Sequence, residues 1–247
     1  MLLHTPRRKP RQDEAEKPFW ISFSDLMTAL MVLFLVAMAV ALLGMTQGLR
    51  QLDDARKGRH QAIQTCLADL QAMTQRPEYA GVRLRGQTLD FGPLAEFGKG
   101  DNTLSAERAR FLRAFVPQVL SLARTPACQT WLKRFVVEGY ASPEGSYLYN
   151  LNLSLERSQR MLCVLLDASA ADAMSREDRQ AVRELFLVGG SSFNSSILNQ
   201  PEKSRRIELR LEFRDAAGQC EPGGPGCEPR RQTISWDDDL KCPVASR

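Results

Sequence analysis

The longest apolar run in the chain is FWISFSDLMTALMVLFLVAMAVALLG, residues 19 to 44. A bilayer core of about 30 Å requires roughly 20 apolar helical residues, so this run predicts one transmembrane helix over residues 19–45. The run is longer than the apolar core of a cleaved signal peptide, which is about 7 to 15 residues. We therefore expect a permanent anchor. Between Lys17 and Arg50 the only ionisable side chain is Asp25.

After the membrane span, sequence patterns typical of helices and of strands alternate along the chain. Residues 46–75 have a helical but mostly polar pattern, and they either continue the membrane helix or connect it to the next domain. Apolar and polar residues alternate over 82–91 and 205–213, which predicts strands there, with a glycine turn inside the first. The short stretches 134–140 and 185–190 are also predicted to be strands. The helical period predicts helices over 105–123, 152–166 and 175–185, with Ser105 and Ser175 capping the first and the last of them. Pro117 is expected to end or kink the first of these helices. The fold class is therefore α+β.

These patterns divide the chain into five parts. Residues 1–18 form a polar arm, 19–45 the transmembrane helix, and 46–80 a helical linker. Residues 81–214 form a domain of helices and strands, and 215–247 form a tail rich in Gly and Pro.

The charge of the chain argues against one class of partner and indicates how the chain is oriented in the membrane. The net charge of +4 over 247 residues is too small to indicate a nucleic-acid partner. Lys and Arg nearly balance on the two sides of the span, but only a short basic arm precedes it. We expect a cytoplasmic N-terminus and a periplasmic domain, anchored in a bacterial inner membrane.

The six cysteines are compatible with an oxidising compartment. Cys220, Cys227 and Cys242 lie in the Gly- and Pro-rich tail, and a disulfide is predicted among these three. Cys163 falls in a predicted amphipathic helix and is interpreted as a small core residue. With two histidines and no CxxC pair, no metal site is expected. The chain has no GxSxG, P-loop or HExxH motif, so neither an enzyme nor a bound cofactor is expected.

A lone acid in a membrane helix requires an explanation. A charged side chain at mid-bilayer costs roughly 2.5 to 3.5 kcal/mol on insertion scales, and such residues are usually functional. Ser22, Asp25 and Thr28 are spaced by three and share one helix face. We predict that Asp25 translocates an ion and that Ser22 and Thr28 line its path. The alternative is that Asp25 lies near the end of the helix and that its carboxylate reaches the lipid headgroups. The transported ion could be either a proton or a sodium ion.

The run WISFSDLMTALMVLFLV, residues 20 to 36, resembles the membrane helix of the MotB family of stator subunits. The resemblance implies that Asp25 is the ion-carrying carboxylate. It also implies a homodimer inside a ring of five larger MotA-like membrane subunits, in which ion flow drives rotation.

A second stretch, VVEGYASPEGSYLYNLNLSLERS over residues 136 to 158, resembles the OmpA-like peptidoglycan-binding domain. The matched positions are Gly139, Tyr140, Ala141, Ser142, Gly145, Asn150, Leu153, Ser154 and Arg157, joined by Arg205, Arg206 and Glu208 on a later strand. The resemblance covers about residues 82–213. It implies an α/β sandwich with helices on one face of a mixed sheet.

In that family a stem peptide of peptidoglycan is held by an aspartate on its ammonium and an arginine on its carboxylate. The resemblance places peptidoglycan at Ser142, Glu144, Asn150, Leu153, Arg157 and Arg205. Arg157 would bind the carboxylate as a bidentate fork, and Asn150 is expected in the loop before the helix. Ser142 replaces the family aspartate, and Glu144 is the nearby acid that would substitute.

Two families combine these features: the flagellar stator subunits, and the ZorB family of the Zorya antiphage defence system, whose membrane partner is ZorA. The compact length, the membrane run and the YASPEG variant favour the second. A passive wall-binding anchor is another alternative, and Asp25 argues against it because such an anchor has no use for a buried acid. The last alternative is an energy-transducing subunit of the ExbD and TolR type, whose periplasmic domains lack the G-Y-A-S…N…L-S…R signature.

Overall fold

The computed structural model describes residues 17–215 and 241–246, with side chains from Phe23 onward. The first 16 residues of the predicted arm, the Ser22 side chain, Cys220 and Cys227 lie outside the described residues.

The described chain contains both helices and strands, which confirms the α+β class. The helices are α1 (Lys17–Thr74), α2 (Ala106–Ala123), α3 (Pro126–Gln129), α4 (Tyr147–Leu166), α5 (Arg176–Leu185) and α6 (Pro201–Ser204). The strands are β1 (Arg83–Arg85), β2 (Thr88–Asp90), β3 (Leu132–Gly139), β4 (Phe186–Gly190) and β5 (Ile207–Phe213). Short 3₁₀ helices span Pro77–Tyr79 and Gly92–Ala95.

The chain divides into two compact units, residues 1–56 and 57–247. In the first unit α1 is a bare helix: one 18-residue stretch has a mean hydropathy of 2.8, and none of that stretch is buried. It is the one helix in the described part of the chain that is long and apolar enough to cross a membrane.

The second unit begins earlier than the predicted domain boundary at residue 81. Residues from 57 onward belong to it, and Ile63, Cys66, Leu70 and Met73 of α1 are buried there. The polar stretch 46–75 therefore continues the membrane helix, and its last turns pack as part of the domain. The apolar stripe is sparse because only one side of this segment faces the core.

The five strands of the second unit form a mixed sheet in the order β1-β2-β5-β3-β4. β3 and β4 are parallel, while the other pairs are antiparallel. Phe135, Val137 and Leu209 point to one face and are buried against α2, α4 and α5. The other face carries half-exposed charges such as Arg134 and Glu212, which pair at 2.8 Å. Helices therefore cover one face of the sheet, as the resemblance to the OmpA-like domain implied.

Serine caps fix where the helices begin. Ser105 and Ser175 accept hydrogen bonds from the backbone at the starts of α2 and α5, which confirms both predicted caps. Ser146 caps α4 in the same way, so α4 begins five residues before the predicted start at 152. Asn150 consequently lies in the first turn of the helix and not in the loop before it. Pro117 was expected to end or kink α2, and it does not end this helix: α2 continues to Ala123, held by buried residues on both sides of the proline.

Two disulfides staple the second unit, Cys66–Cys128 and Cys163–Cys242. Cys242 therefore does not pair with Cys220 or Cys227, and a disulfide between those two cysteines, which lie outside the described residues, stays a prediction. The interpretation of Cys163 as a small core residue is wrong, because Cys163 forms a disulfide. The described end of the tail returns to α4, and this return places Cys242 beside a helix cysteine that no local pattern connects to it.

Candidate functional site

The first candidate site is Asp25 on α1. The Asp25 side chain is exposed among exposed apolar neighbours, including Phe23 and Leu26. The Thr28 hydroxyl donates to the Ser24 and Asp25 backbone carbonyls, at 3.0 and 2.9 Å. This internal bond hides the polarity of Thr28 from lipid. No side chain in the described residues donates to the Asp25 carboxylate, so its oxygens are available to a partner or an ion.

The second candidate site lies where β3 ends and α4 begins, and two glycines allow these elements to approach closely. A Cβ on Gly139 would lie 1.9 Å from the Ser154 carbonyl oxygen, and one on Gly190 would lie 2.7 Å from the Ser154 hydroxyl. That hydroxyl accepts a hydrogen bond from the Ser192 amide at 3.0 Å. The backbone contact brings α4 directly onto the parallel pair β3 and β4 and sets the position of Arg157, one turn further on.

Arg157 is fully buried and forms the centre of this region. Its Nε donates to the Asp101 carbonyl at 2.9 Å, Nη1 to the Tyr140 carbonyl at 2.8 Å, and Nη2 to the Gly98 carbonyl at 2.9 Å. The guanidinium lies 5.0 Å from the centre of the Phe97 ring. Charge-assisted hydrogen bonds of this kind offset the cost of burying the cation.

The surroundings of Arg157 change its chemistry. Burial, followed by the nearby Arg205 cation, lowers the pKa of Arg157 to about 10, so it stays protonated at neutral pH. All three guanidinium nitrogens face backbone carbonyls, and the side chain has no exposed surface. The structure thus gives Arg157 a role that differs from the predicted direct contact with a ligand carboxylate: it joins residues 98–101 to the end of β3.

Three other residues predicted at the peptidoglycan site also lie inside. Leu153 is buried against the fold. Asn150 is buried and its amide donates to the Glu144 and Ser146 carbonyls, at 2.9 and 3.2 Å, which ties the loop to the first turn of α4. Ser142 is buried, with its hydroxyl 3.2 Å from a Glu144 carboxylate oxygen. Side-chain amides and hydroxyls in these positions shape the loop and leave little surface for a ligand.

Glu144 is the exposed member of the predicted set. Its side chain is 42% exposed and lies 3.5 Å from the Nζ of Lys99, which is 73% exposed. The Ser142 hydroxyl places the Glu144 carboxylate next to the position of the family aspartate. The two exposed groups, Lys99 and Glu144, are called the charged rim below. Sequence reasoning missed Lys99, although a lysine between two glycines in FGKGDN is typical of an exposed loop tip.

Arg205 and Arg206 flank the same region from the chain before β5. Arg205 is half-buried and donates through Nε to the Phe97 carbonyl at 3.1 Å. Arg206 forms a 2.7 Å ion pair with Glu208 and stacks on Tyr140, with 4.4 Å to the ring centre. Burial raises the pKa of the Tyr140 phenol, and the Glu208 and Glu138 carboxylates add to that rise. The phenol is therefore a neutral packing group here.

The sequence is similar to a known protein family and to a known protein. Residues 6–44 match the family described as membrane MotB of the proton-channel complex MotA/MotB. Zorya protein ZorB of Escherichia coli O139:H28 is 40% identical over 209 residues, which cover 83% of this chain and 85% of that protein.

Two solved structures are similar in part. The OmpA-like domain of FopA1 from Francisella tularensis matches with 17% identity and a TM-score of 0.35, covering 54% of this chain and 82% of that one. The periplasmic domain of MotB matches with 11% identity and a TM-score of 0.39, covering 54% and 68%.

Proposed function

We propose, from the premise that this chain belongs to the ZorB family, that it is a wall-anchored, single-pass subunit of an ion-driven motor in the bacterial inner membrane. The observation that carries the proposal is Asp25, the lone carboxylate in the apolar run 19–44 of α1, where the described side chains around it are exposed and mostly apolar. As a MotB-type subunit the chain is not an enzyme; it supplies an ion-carrying group and a fixed attachment.

The ion-carrying role follows from the chemistry of the helix. A carboxylate in lipid requires a partner, because desolvation without compensation is costly. The Thr28 hydroxyl is occupied by backbone carbonyls, so the Asp25 oxygens remain for an ion. We propose that this ion is a proton, with sodium as the alternative. The face formed by Ser22, Asp25 and Thr28 would meet a ZorA-like subunit, five copies of which would surround a dimer of this chain.

The test of this role replaces Asp25 by its uncharged isostere. Asp25→Asn should insert and express normally but abolish protection against phage in cells that carry the partner genes. Asp54→Asn, which changes an exposed acid of the same helix outside the apolar run, is the matched control and should protect fully. Full protection by the Asp25→Asn variant would contradict the ion-carrier role. Dependence of protection on external sodium would identify sodium as the ion.

The proposed orientation has the N-terminus in the cytoplasm and the second unit in the periplasm. Both disulfides lie in the second unit, and disulfides persist in oxidising compartments such as the periplasm. A periplasm-dependent reporter fused to the C-terminus should be active, while a cytoplasm-dependent one should be silent. The reverse pattern would show inverted topology.

The proposed attachment is to peptidoglycan through the charged rim. A stem peptide carries both ammonium and carboxylate groups, and Glu144 and Lys99 offer the opposite charges at exposed positions. This differs from a site centred on Arg157, since the buried guanidinium already binds three carbonyls. Arg205 is close enough to Arg157 to lower the pKa of its guanidinium, and it lies at the side of the same region.

The wall contact is testable by co-sedimentation. The detergent-solubilised chain should pellet with purified peptidoglycan, and Glu144→Gln or Lys99→Gln should reduce the pelleted fraction several-fold. Glu107→Gln and Lys133→Gln remove exposed charges elsewhere in the same unit and should leave pelleting unchanged. Equal pelleting of all four variants would remove the charged rim from the proposal.

A further inference from the structure

The end of the chain is fastened to α4 by a covalent bond and polar contacts. Residues 241–246, here called the C-terminal strap, contain Cys242, which is bonded to Cys163. Arg160 donates through Nη2 to the Val244 carbonyl at 2.9 Å. Val244 is buried, whereas its five strap neighbours are exposed. The strap therefore adds one side chain to the core, and its attachment is mainly polar and covalent.

The contacts give the strap a direction along α4. Cys242 is joined to Cys163, Val244 contacts Arg160 one turn earlier, and the Ala245 carbonyl accepts from Asn102 at 2.9 Å. Asn102 also donates to Glu156, one turn before Arg160, at 3.0 Å. The strap thus runs antiparallel to the helix, toward its N-terminal end and the charged rim.

Asn102 is where the strap meets the loop that carries the rim. Its side chain is fully buried and donates to the strap and to Glu156, while its own carbonyl accepts from Arg160 Nε at 3.2 Å. The preceding residue, Asp101, gives its carbonyl to Arg157. Residues 98–102 are therefore held from beneath by Arg157 and at their end by the strap, and Lys99 projects between these anchors.

We propose that the C-terminal strap is a positioning device for peptidoglycan binding: it fixes residues 98–103 so that Lys99 stays beside Glu144. The inference rests on the proposed wall contact. A loop with two glycines would otherwise sample many conformations, and ordering it at binding would lower the affinity. Asn102, Arg160 and Cys163 act through the loop and are positioning residues; they do not contact the ligand.

The two disulfides provide a matched experiment. Their sequence separations are 62 and 79 residues, so loss of either one changes the entropy of the unfolded chain to a similar extent. The strap variant is Cys163→Ser with Cys242→Ser, and the control is Cys66→Ser with Cys128→Ser. Both are made in the full chain and studied in detergent by amide hydrogen exchange and by co-sedimentation with purified peptidoglycan.

The strap variant should exchange amides of residues 98–103 about tenfold faster and pellet less than the parent. The control should retain parental exchange in that loop and parental pelleting, even with a lower melting temperature. Asn102→Ala with both disulfides intact should also speed exchange in this loop, because it removes the contact to Ala245 that the strap variant loosens, together with the contact to Glu156.

Several outcomes would overturn the inference. Unchanged loop exchange in the strap variant would do so, as would equal loss of pelleting in the strap and control variants, which would indicate general stabilisation only. If the parent chain itself does not pellet, the proposed wall contact fails, and the exchange measurement still decides whether the strap orders the loop.

Discussion

Replacing Arg157 by alanine tests whether this residue holds the fold together or contacts a ligand. The three bonds from its guanidinium to the Asp101, Tyr140 and Gly98 carbonyls would be lost, and the carbonyls would be left in a buried site. A net hydrogen bond to a charged group contributes about 1.5 to 3 kcal/mol, but removing the cation also removes the cost of burying it. Breaking a buried charged network typically costs about 3 to 5 kcal/mol.

That loss is large enough to measure in the intact chain. For a unit of this size each kcal/mol lowers the melting temperature by about 2 to 4 °C, so Arg157→Ala should lower it by roughly 6 to 20 °C. Fluorescence of Trp131, which is buried in the same unit, would follow the transition in detergent. Arg157→Lys should be intermediate, since an ammonium is a compact point charge and lacks the planar fork of a guanidinium.

Arg108→Ala is the matched control. Arg108 also donates through Nε to one backbone carbonyl, that of Pro93 at 3.1 Å, but from a partly exposed position. Its loss should cost about 1 kcal/mol or less. If Arg157→Ala melts within about 2 °C of the Arg108→Ala protein and still loses peptidoglycan, the buried network contributes little, and a direct ligand contact is the better explanation.

Two further predictions concern contacts that the fold imposes. Gly139→Ala should destabilise the second unit by about 2 kcal/mol or more, because its Cβ would lie 1.9 Å from the Ser154 carbonyl oxygen. The control Gly189→Ala, whose Cβ would have nothing within 4 Å, should unfold within about 0.5 kcal/mol of the parent. Similar denaturation midpoints for the two variants would contradict the close approach of α4 to β3. Peptide mapping without reductant should recover Cys66 linked to Cys128 and Cys163 linked to Cys242, and recovery of Cys242 linked to Cys220 or Cys227 would show that the pairing described above is wrong.

The features that the sequence determined by itself are those set by neighbouring residues. The apolar run and its single acid, Asp25, follow from composition over one helix length. The starts of α2 and α5 follow from Ser105 and Ser175, because an N-cap bonds to a backbone amide three residues away. Alternation of apolar and polar residues predicted the strand over 205–213, which corresponds to β5, since side chains in a strand have a period of two.

The features that only the tertiary structure decided depend on residues far apart in the chain. Arg157 matches a binding motif in sequence, but its guanidinium donates its hydrogen bonds to backbone carbonyls of residues up to 59 positions away in the chain. Lys99 meets Glu144, and Cys242 meets Cys163, only because the fold and the returning strap bring them together. α2 continues through Pro117 because burial of its flanking residues outweighs the lost hydrogen bond. The periodicity of the sequence carries no information on distances between residues far apart in the chain. Only the packed structure therefore shows which side chains are buried and which partners they contact.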